Sequence, residues 1–138
     1  MTYDEKVQWL RRYQDSLRRE QELAEEVEQL RSRACKVTPS LSGMPGGTSD
    51  GQALPRAVEQ ILLCQQELQC QINACNTIRR EILETLNQVD NQRDYEILRR
   101  RYILGESFIE ISNRAHLEYR WVRKKHKMAI NNIEIKGI

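Results

Sequence analysis

Apolar residues recur every three or four positions from the start of the chain to residue 34: Val7, Leu10, Tyr13, Leu17, Leu23 or Ala24, Val27, Leu30 and Ala34. That period lines one side of an α-helix and leaves the remainder to solvent. Thr2 with Glu5 three residues later reads as a capping box, so the spacing predicts a helix over 2–35. A second stripe runs Val58, Ile61, Leu68, Ile72, Cys75, Ile78, Ile82, Leu86 and Val89, behind Pro55, which suits a first helical turn. Between the stripes, residues 36–54 hold two of the three prolines and four of the six glycines, which predicts a loop. Neither helix can bury its stripe alone. Residues 1–91 are therefore expected to form a long antiparallel helical hairpin, coiled-coil-like, or to pair with a second chain.

Beyond Asn91 the period breaks into shorter pieces. Asp94 to Leu104 places Ile97, Leu98, Tyr102 and Ile103 on one face with Arg99, Arg100 and Arg101 outside it, and Gly105 ends the helix. Ser107 caps 108–115, with Glu110 at its third position and Phe108, Ile111 and Ala115 inward. A turn at 116–118 leads to a helix over 119–133 with Val122, Ala129, Ile130 and Ile133 inward. This is a helix-turn-helix pattern. The expected fold is all-α, a hairpin domain over 1–91 followed by a three-helix module over 92–138. With so few glycines and prolines, and those clustered, a β-sandwich or barrel is excluded.

Charge changes the picture at one end only. The 138 residues carry 22 Lys and Arg against 20 Asp and Glu, but residues 92–138 hold 11 basic and 6 acidic side chains, a local charge of +5. Such asymmetry points that end at an anionic partner. Within it, Tyr119, Arg120, Trp121, Arg123, Lys124, Lys125 and Lys127 crowd five cations and two aromatics into nine residues. The first turns of the second helix in a helix-turn-helix reach base edges, and Arg or Lys there read guanine or grip phosphate. The candidate DNA-binding residues are Ser107, Tyr119, Arg120, Trp121, Arg123, Lys124 and Lys127, with double-stranded DNA as the partner. Trp121 has two readings, stacking on thymine methyls or packing against the first helix of the module. Lys125, between Val122 and Ala129, is expected to pack its stem and carry its ammonium outward.

Other chemistries find no support. The longest aliphatic run, Ile61 to Leu63, is far short of a membrane span, and the opening Met-Thr-Tyr-Asp-Glu lacks a signal-peptide layout. Cys35, Cys64, Cys70 and Cys75 form no C-x-x-C pair and lie far from His116 and His126, so no metal site is expected and the thiols read as reduced helix residues. Gly46-Gly47-Thr48 lacks the lysine of a phosphate-binding loop. No nucleophile sits in an activation pattern, so neither an enzyme nor a cofactor is expected.

The stretch Leu98-Arg-Arg-Arg-Tyr-Ile-Leu-Gly-Glu-Ser-Phe-Ile-Glu-Ile-Ser112, continued through Val122 to Ala129-Ile130, resembles region four of bacterial RNA polymerase sigma factors. Gly105, Ser107, Glu110, Ile111, Arg114, Val122, Arg123 and Ala129 fall in that family's register without a gap. His116 stands where the turn usually has Gly, Glu118 where a Ser or Thr caps, and Tyr119 and Trp121 where arginines are usual. Further upstream, the long charged helix, the Ser42–Gly47 loop motif and the second helix, with an end containing His126, are similar to a family of phage and prophage proteins. The resemblance implies a transcriptional regulator in the cytoplasm of a bacterial host, with helix 119–133 in the major groove and RNA polymerase as a second contact. Nothing in 1–91 looks like a promoter-melting sigma region two, which argues for a regulator over a complete initiation factor. An alternative is a structural or interaction protein whose hairpin dimerises or docks a partner and whose helix-turn-helix is a protein-docking end. A homodimer and a monomeric hairpin both satisfy the stripes.

Overall fold

The computed structural model of the chain describes the backbone of residues 1–42 and 53–136, and the side chains of 1–36 and 54–136. Five helices account for the architecture: α1 (Tyr3–Ser42), α2 (Ala53–Leu86), α3 (Gln92–Tyr102), α4 (Phe108–Ala115) and α5 (Tyr119–Asn132). The fold is all-α, and no strand occurs among the described residues. Thr2 forms the expected capping box, its hydroxyl accepting from Glu5 N–H at 3.2 Å while the Glu5 carboxylate accepts from Thr2 N–H at 2.9 Å.

Several element boundaries differ from the sequence expectation. The first helix continues past Lys36 to Ser42, because extending a formed helix costs far less than nucleating one. The second starts at Ala53, two residues ahead of Pro55, which keeps the proline within the first turn, where its missing N–H has no helical partner. The remainder of the expected loop, including Gly46-Gly47-Thr48 and most of the Ser42–Gly47 motif, lies outside the described residues. The third helix occupies 92–102 instead of 94–104 because Asn91 caps it, its side chain accepting from the N–H groups of Arg93 and Asp94.

The chain resolves into two compact units, Met1–Ser16 with Cys75–Ile138, and Leu17–Ala74. The physical reason lies in the core of the first unit. Val7 and Leu10 of α1, Ile82 and Leu86 of α2, Leu98 and Tyr102 of α3, and Ala129, Ile130 and Ile133 at the end of α5 form one buried cluster. A smaller cluster joins Ile97, Ile111 and Val122. A three-helix module of this size buries too little of its own surface to hold such a core, and the helix ends of α1 and α2 supply the rest. Each fully buried Leu or Ile here contributes about 1.5–3 kcal/mol.

Gln14 of α1 adds a polar tie in the same unit. Its amide donates to the Ile103 carbonyl at 2.9 Å, at the C-terminal end of α3. Gly105 follows with φ of +73°, a backbone conformation that favours glycine, and a Cβ there would meet the Gln14 amide oxygen at 2.8 Å and push that side chain aside.

In the second unit, Leu23, Val27 and Cys64 are buried, while Ala24 is exposed. The Cys64 thiol lies 4.0 Å from the Leu23 carbonyl and 3.8 Å from the Glu26 carboxylate. Burial first, then Glu26 and Glu67, push its pKa up, so it stays a thiol. All four cysteines are free. Leu54, Val58, Leu62 and Leu63 remain exposed on α2.

Candidate nucleic-acid interface

The interface begins with how α4 and α5 are joined. Ser107 adopts extended backbone and its hydroxyl accepts from Glu110 N–H at 3.2 Å, the N-cap expected from sequence. At the other end, His116 takes the left-handed conformation, with φ of 54° and ψ of 41°. That reverses the chain and lets the N–H groups of His116 and Leu117 both reach the Ser112 carbonyl. The conformation costs a non-glycine residue roughly 1–2 kcal/mol, and here it is held by the helices on both sides. Glu118 caps α5 with no side-chain hydrogen bond. Its charge still complements the positive end of the helix.

Inward, α5 presents Val122, His126, Ala129 and Ile130, all buried. Ile111 faces the same core from α4, but Ala115, expected inward, is exposed, because the last turn of α4 runs past the small cluster into the left-handed reversal. Outward, α5 presents Tyr119, Arg120, Arg123, Lys124 and Lys127, all exposed. Ser107 is half-buried as the cap of α4.

Trp121 takes the packed position of its two readings. It is half-buried against Ile97, Ile111 and Val122, with the Arg93 guanidinium 5.7 Å and the Lys125 ammonium 5.4 Å from its ring. Lys125 does not carry its ammonium out to solvent. It lies 3.1 Å from the Asp94 carboxylate, tying α5 to α3.

Two sets of basic residues in the unit differ in what they meet. Arg100 of α3 and Arg114 of α4 converge on the Glu106 carboxylate at 3.2 and 3.1 Å, and Arg101 donates to the Glu106 backbone carbonyl at 3.2 Å. Glu106 is buried, so Arg100 and Arg101, expected outside the apolar face, join Arg114 in clasping the α3–α4 connection. By contrast, Arg120, Arg123, Lys124 and Lys127 make no ion pair among the described residues. Aromatic rings hold two of them instead: Arg123 lies over Phe108 at 6.0 Å and Tyr119 at 5.7 Å, and Lys127 over Tyr3 at 5.9 Å. A cation on a ring face is held by the ring quadrupole and keeps its N–H donors free for another acceptor.

Behind this surface sits a buried polar pair. The Tyr102 hydroxyl and His126 Nε2 are 2.7 Å apart, with the rings stacked at 5.6 Å. Burial raises the Tyr102 pKa, and burial followed by Arg101, Arg11 and Arg123 lowers that of His126 to about 4. Tyr102 therefore keeps its proton and His126 is neutral, so the hydroxyl and the imidazole share a hydrogen bond between two uncharged groups. The sequence reading placed His126 only in the basic module. Its position four residues after Val122 and three before Ala129 is the signal that marks it as inward.

Tyr3 and Phe108 are further residues at the basic surface that the sequence did not single out for it. Phe108 was visible only as an inward residue, and nothing in the periodicity joins Tyr3 to a residue 124 positions away. No metal-binding cluster of three or more His, Cys, Asp or Glu occurs among the described residues, and no described helix is long and apolar enough to cross a membrane. Compared with protein-family models, with curated proteins and with solved structures, the chain matches none.

Proposed function

We propose that this protein is a sequence-preferring double-stranded DNA-binding regulator of transcription, of phage or prophage origin, acting in the bacterial cytoplasm with α5 in the major groove. The observation that carries the reading is the division of charge. Arg100, Arg114 and Lys125 are matched by the carboxylates of Glu106 and Asp94, whereas Arg120, Arg123, Lys124 and Lys127 project from one helix without carboxylates. Unmatched cations on the second helix of a helix-turn-helix suit phosphates and guanine edges. The resemblance of 98–130 to sigma region four supports transcription as the setting and RNA polymerase as a second contact. Ser107, as the cap of α4, and Tyr119, on the first turn of α5, belong to the same surface. Trp121 supports it from beneath.

Selection of preferred duplexes from a random pool, followed by binding measurements across a salt series, tests this reading. The full chain should prefer a definable site and lose affinity steeply with salt. Arg120→Ala or Lys124→Ala should cost about 1–3 kcal/mol on that site and relax specificity there. Binding that ignores sequence and salt, or variants indistinguishable from the parent, would overturn it. A second reading, a dimerising or docking protein, is favoured by one observation, the exposed Leu54, Val58, Leu62 and Leu63. It predicts self-association or partner capture with no DNA affinity.

A further inference from the structure

We propose that the first turn of α1 is part of the DNA-binding surface, where Tyr3 positions Lys127 and, with Arg123, frames a seat for one backbone phosphate of the duplex. The inference rests on the DNA-binding reading above and extends it to a helix outside the helix-turn-helix. An open cavity of about 350 Å³ is lined by Tyr3, Phe108, Arg123, Lys124, His126 and Lys127. Three of the six are cations and none is a carboxylate. Tyr3 lies under the Lys127 ammonium at 5.9 Å, and its ring stands edge-on to His126 at 6.4 Å. Phe108, which also lines the cavity, lies under the Arg123 guanidinium at 6.0 Å.

A second tie fixes the turn in place: the Lys6 ammonium donates to the Asn131 carbonyl at 3.2 Å, one helical turn beyond Lys127. The acids of the same turn leave the seat cationic. Asp4 is exposed and Glu5 folds back onto Thr2 N–H. His126 is neutral and acts as wall, not charge. Arg123 and Lys124 belong both to this cavity and to the exposed face of α5, so an anion seated here is continuous with a strand lying along that face. Ring-held cations with free N–H donors suit a phosphate oxygen, which offers acceptors only.

The test compares the full chain with Lys127→Gln, Tyr3→Leu and Tyr3→Phe on the selected duplex over a salt series, with thermal melting to confirm folding. Lys127→Gln should lower the salt slope by about 0.9 and weaken all sequences alike. Tyr3→Leu keeps an apolar side chain but removes the ring face, and should weaken binding roughly two- to fivefold. Tyr3→Phe keeps the ring and should bind like the parent. Tyr3→Leu should add nothing further in a Lys127→Gln background, because the ring acts through that ammonium. Parental binding by a folded Tyr3→Leu chain, a Tyr3→Phe chain as weak as Tyr3→Leu, or additive losses in the double variant would each overturn the assignment. The same holds if inorganic phosphate saturates the Tyr3 and His126 resonances of the DNA-free protein while Tyr3→Leu leaves DNA affinity unchanged, because the seat would then take a free anion. A parent chain that binds no DNA would instead remove the underlying reading, and with it this one.

Discussion

Val7 and Leu10 of α1 are buried among side chains of α2, α3 and α5, whereas Leu54, Val58 and Leu62, spaced by fours along α2, are exposed. Both sets follow helical spacing, yet one lies in the unit of residues 1–16 and 75–138 and the other in the unit of 17–74. The first unit brings a third and fourth helix to the seam between two long ones. Within the second, the described core is Leu23, Val27 and Cys64. A hydrophobic stripe specifies which face wants cover; whether cover arrives depends on what else packs there.

This contrast can be broken most directly by truncating a buried residue in the first unit. Leu10→Ala should destabilise the protein by about 2–5 kcal/mol in denaturant unfolding, since Leu10 is fully buried in the shared core. In a Trp9→Phe background the loss should be seen by the fluorescence of Trp121, because α1 and the helix-turn-helix share that core. If Leu10→Ala left the Trp121 environment equally stable, the grouping of 1–16 with 75–138 would fail.

Acidification should also act on the first unit. His126 titrates at about 4 in the folded chain against an ordinary 6.5, so the unfolded state takes up the proton first. The stabilisation is present in full above pH 6.5 and is lost as pH falls towards 4, a change of roughly 3 kcal/mol. Urea unfolding at several pH values across that window measures it, and His126→Leu should flatten this part of the profile. An unchanged slope in the variant would assign the pH dependence to other groups.

Caps sharpen the comparison at smaller scale. Ser107→Ala should cost about 1 kcal/mol, because it orphans the Glu110 N–H at the start of α4. Glu118→Ser should gain about 0.5 kcal/mol by supplying α5 with the side-chain cap it lacks. Calorimetric melting of the two variants should move in opposite directions. The smallest effect is expected in the second unit, where Leu62→Ser should change the stability of the monomer by less than about 0.5 kcal/mol. A larger loss that depends on protein concentration would show that a second copy covers this face.

Local signals proved legible wherever a residue and its immediate neighbours settle the conformation. The Thr2–Glu5 box, the Ser107 cap, the positive φ of Gly105 and the reversal at His116 are all short-range events, governed by backbone sterics and by side chains a few positions away. The all-α class follows from the same period, repeated along the chain. The cationic face of α5 was legible too at Arg120, Arg123, Lys124 and Lys127, whose positions lie off the inward stripe.

Other features were settled by residues far apart in sequence. Lys125 and Lys124 are adjacent and identical in type, yet only Lys125 meets a carboxylate, because α3 brings Asp94 to its side. Trp121 packs inward because Ile97 and Ile111 leave a surface for it, and Arg100 serves Glu106 in place of solvent. Tyr3 reaches Lys127 only because Val7 and Leu10 are drawn into the core beside the end of α5. Periodicity fixes the direction in which a side chain leaves its helix, since that depends on the backbone alone. Which partner it meets there depends on how the helices assemble, and no stripe read along one helix contains that information.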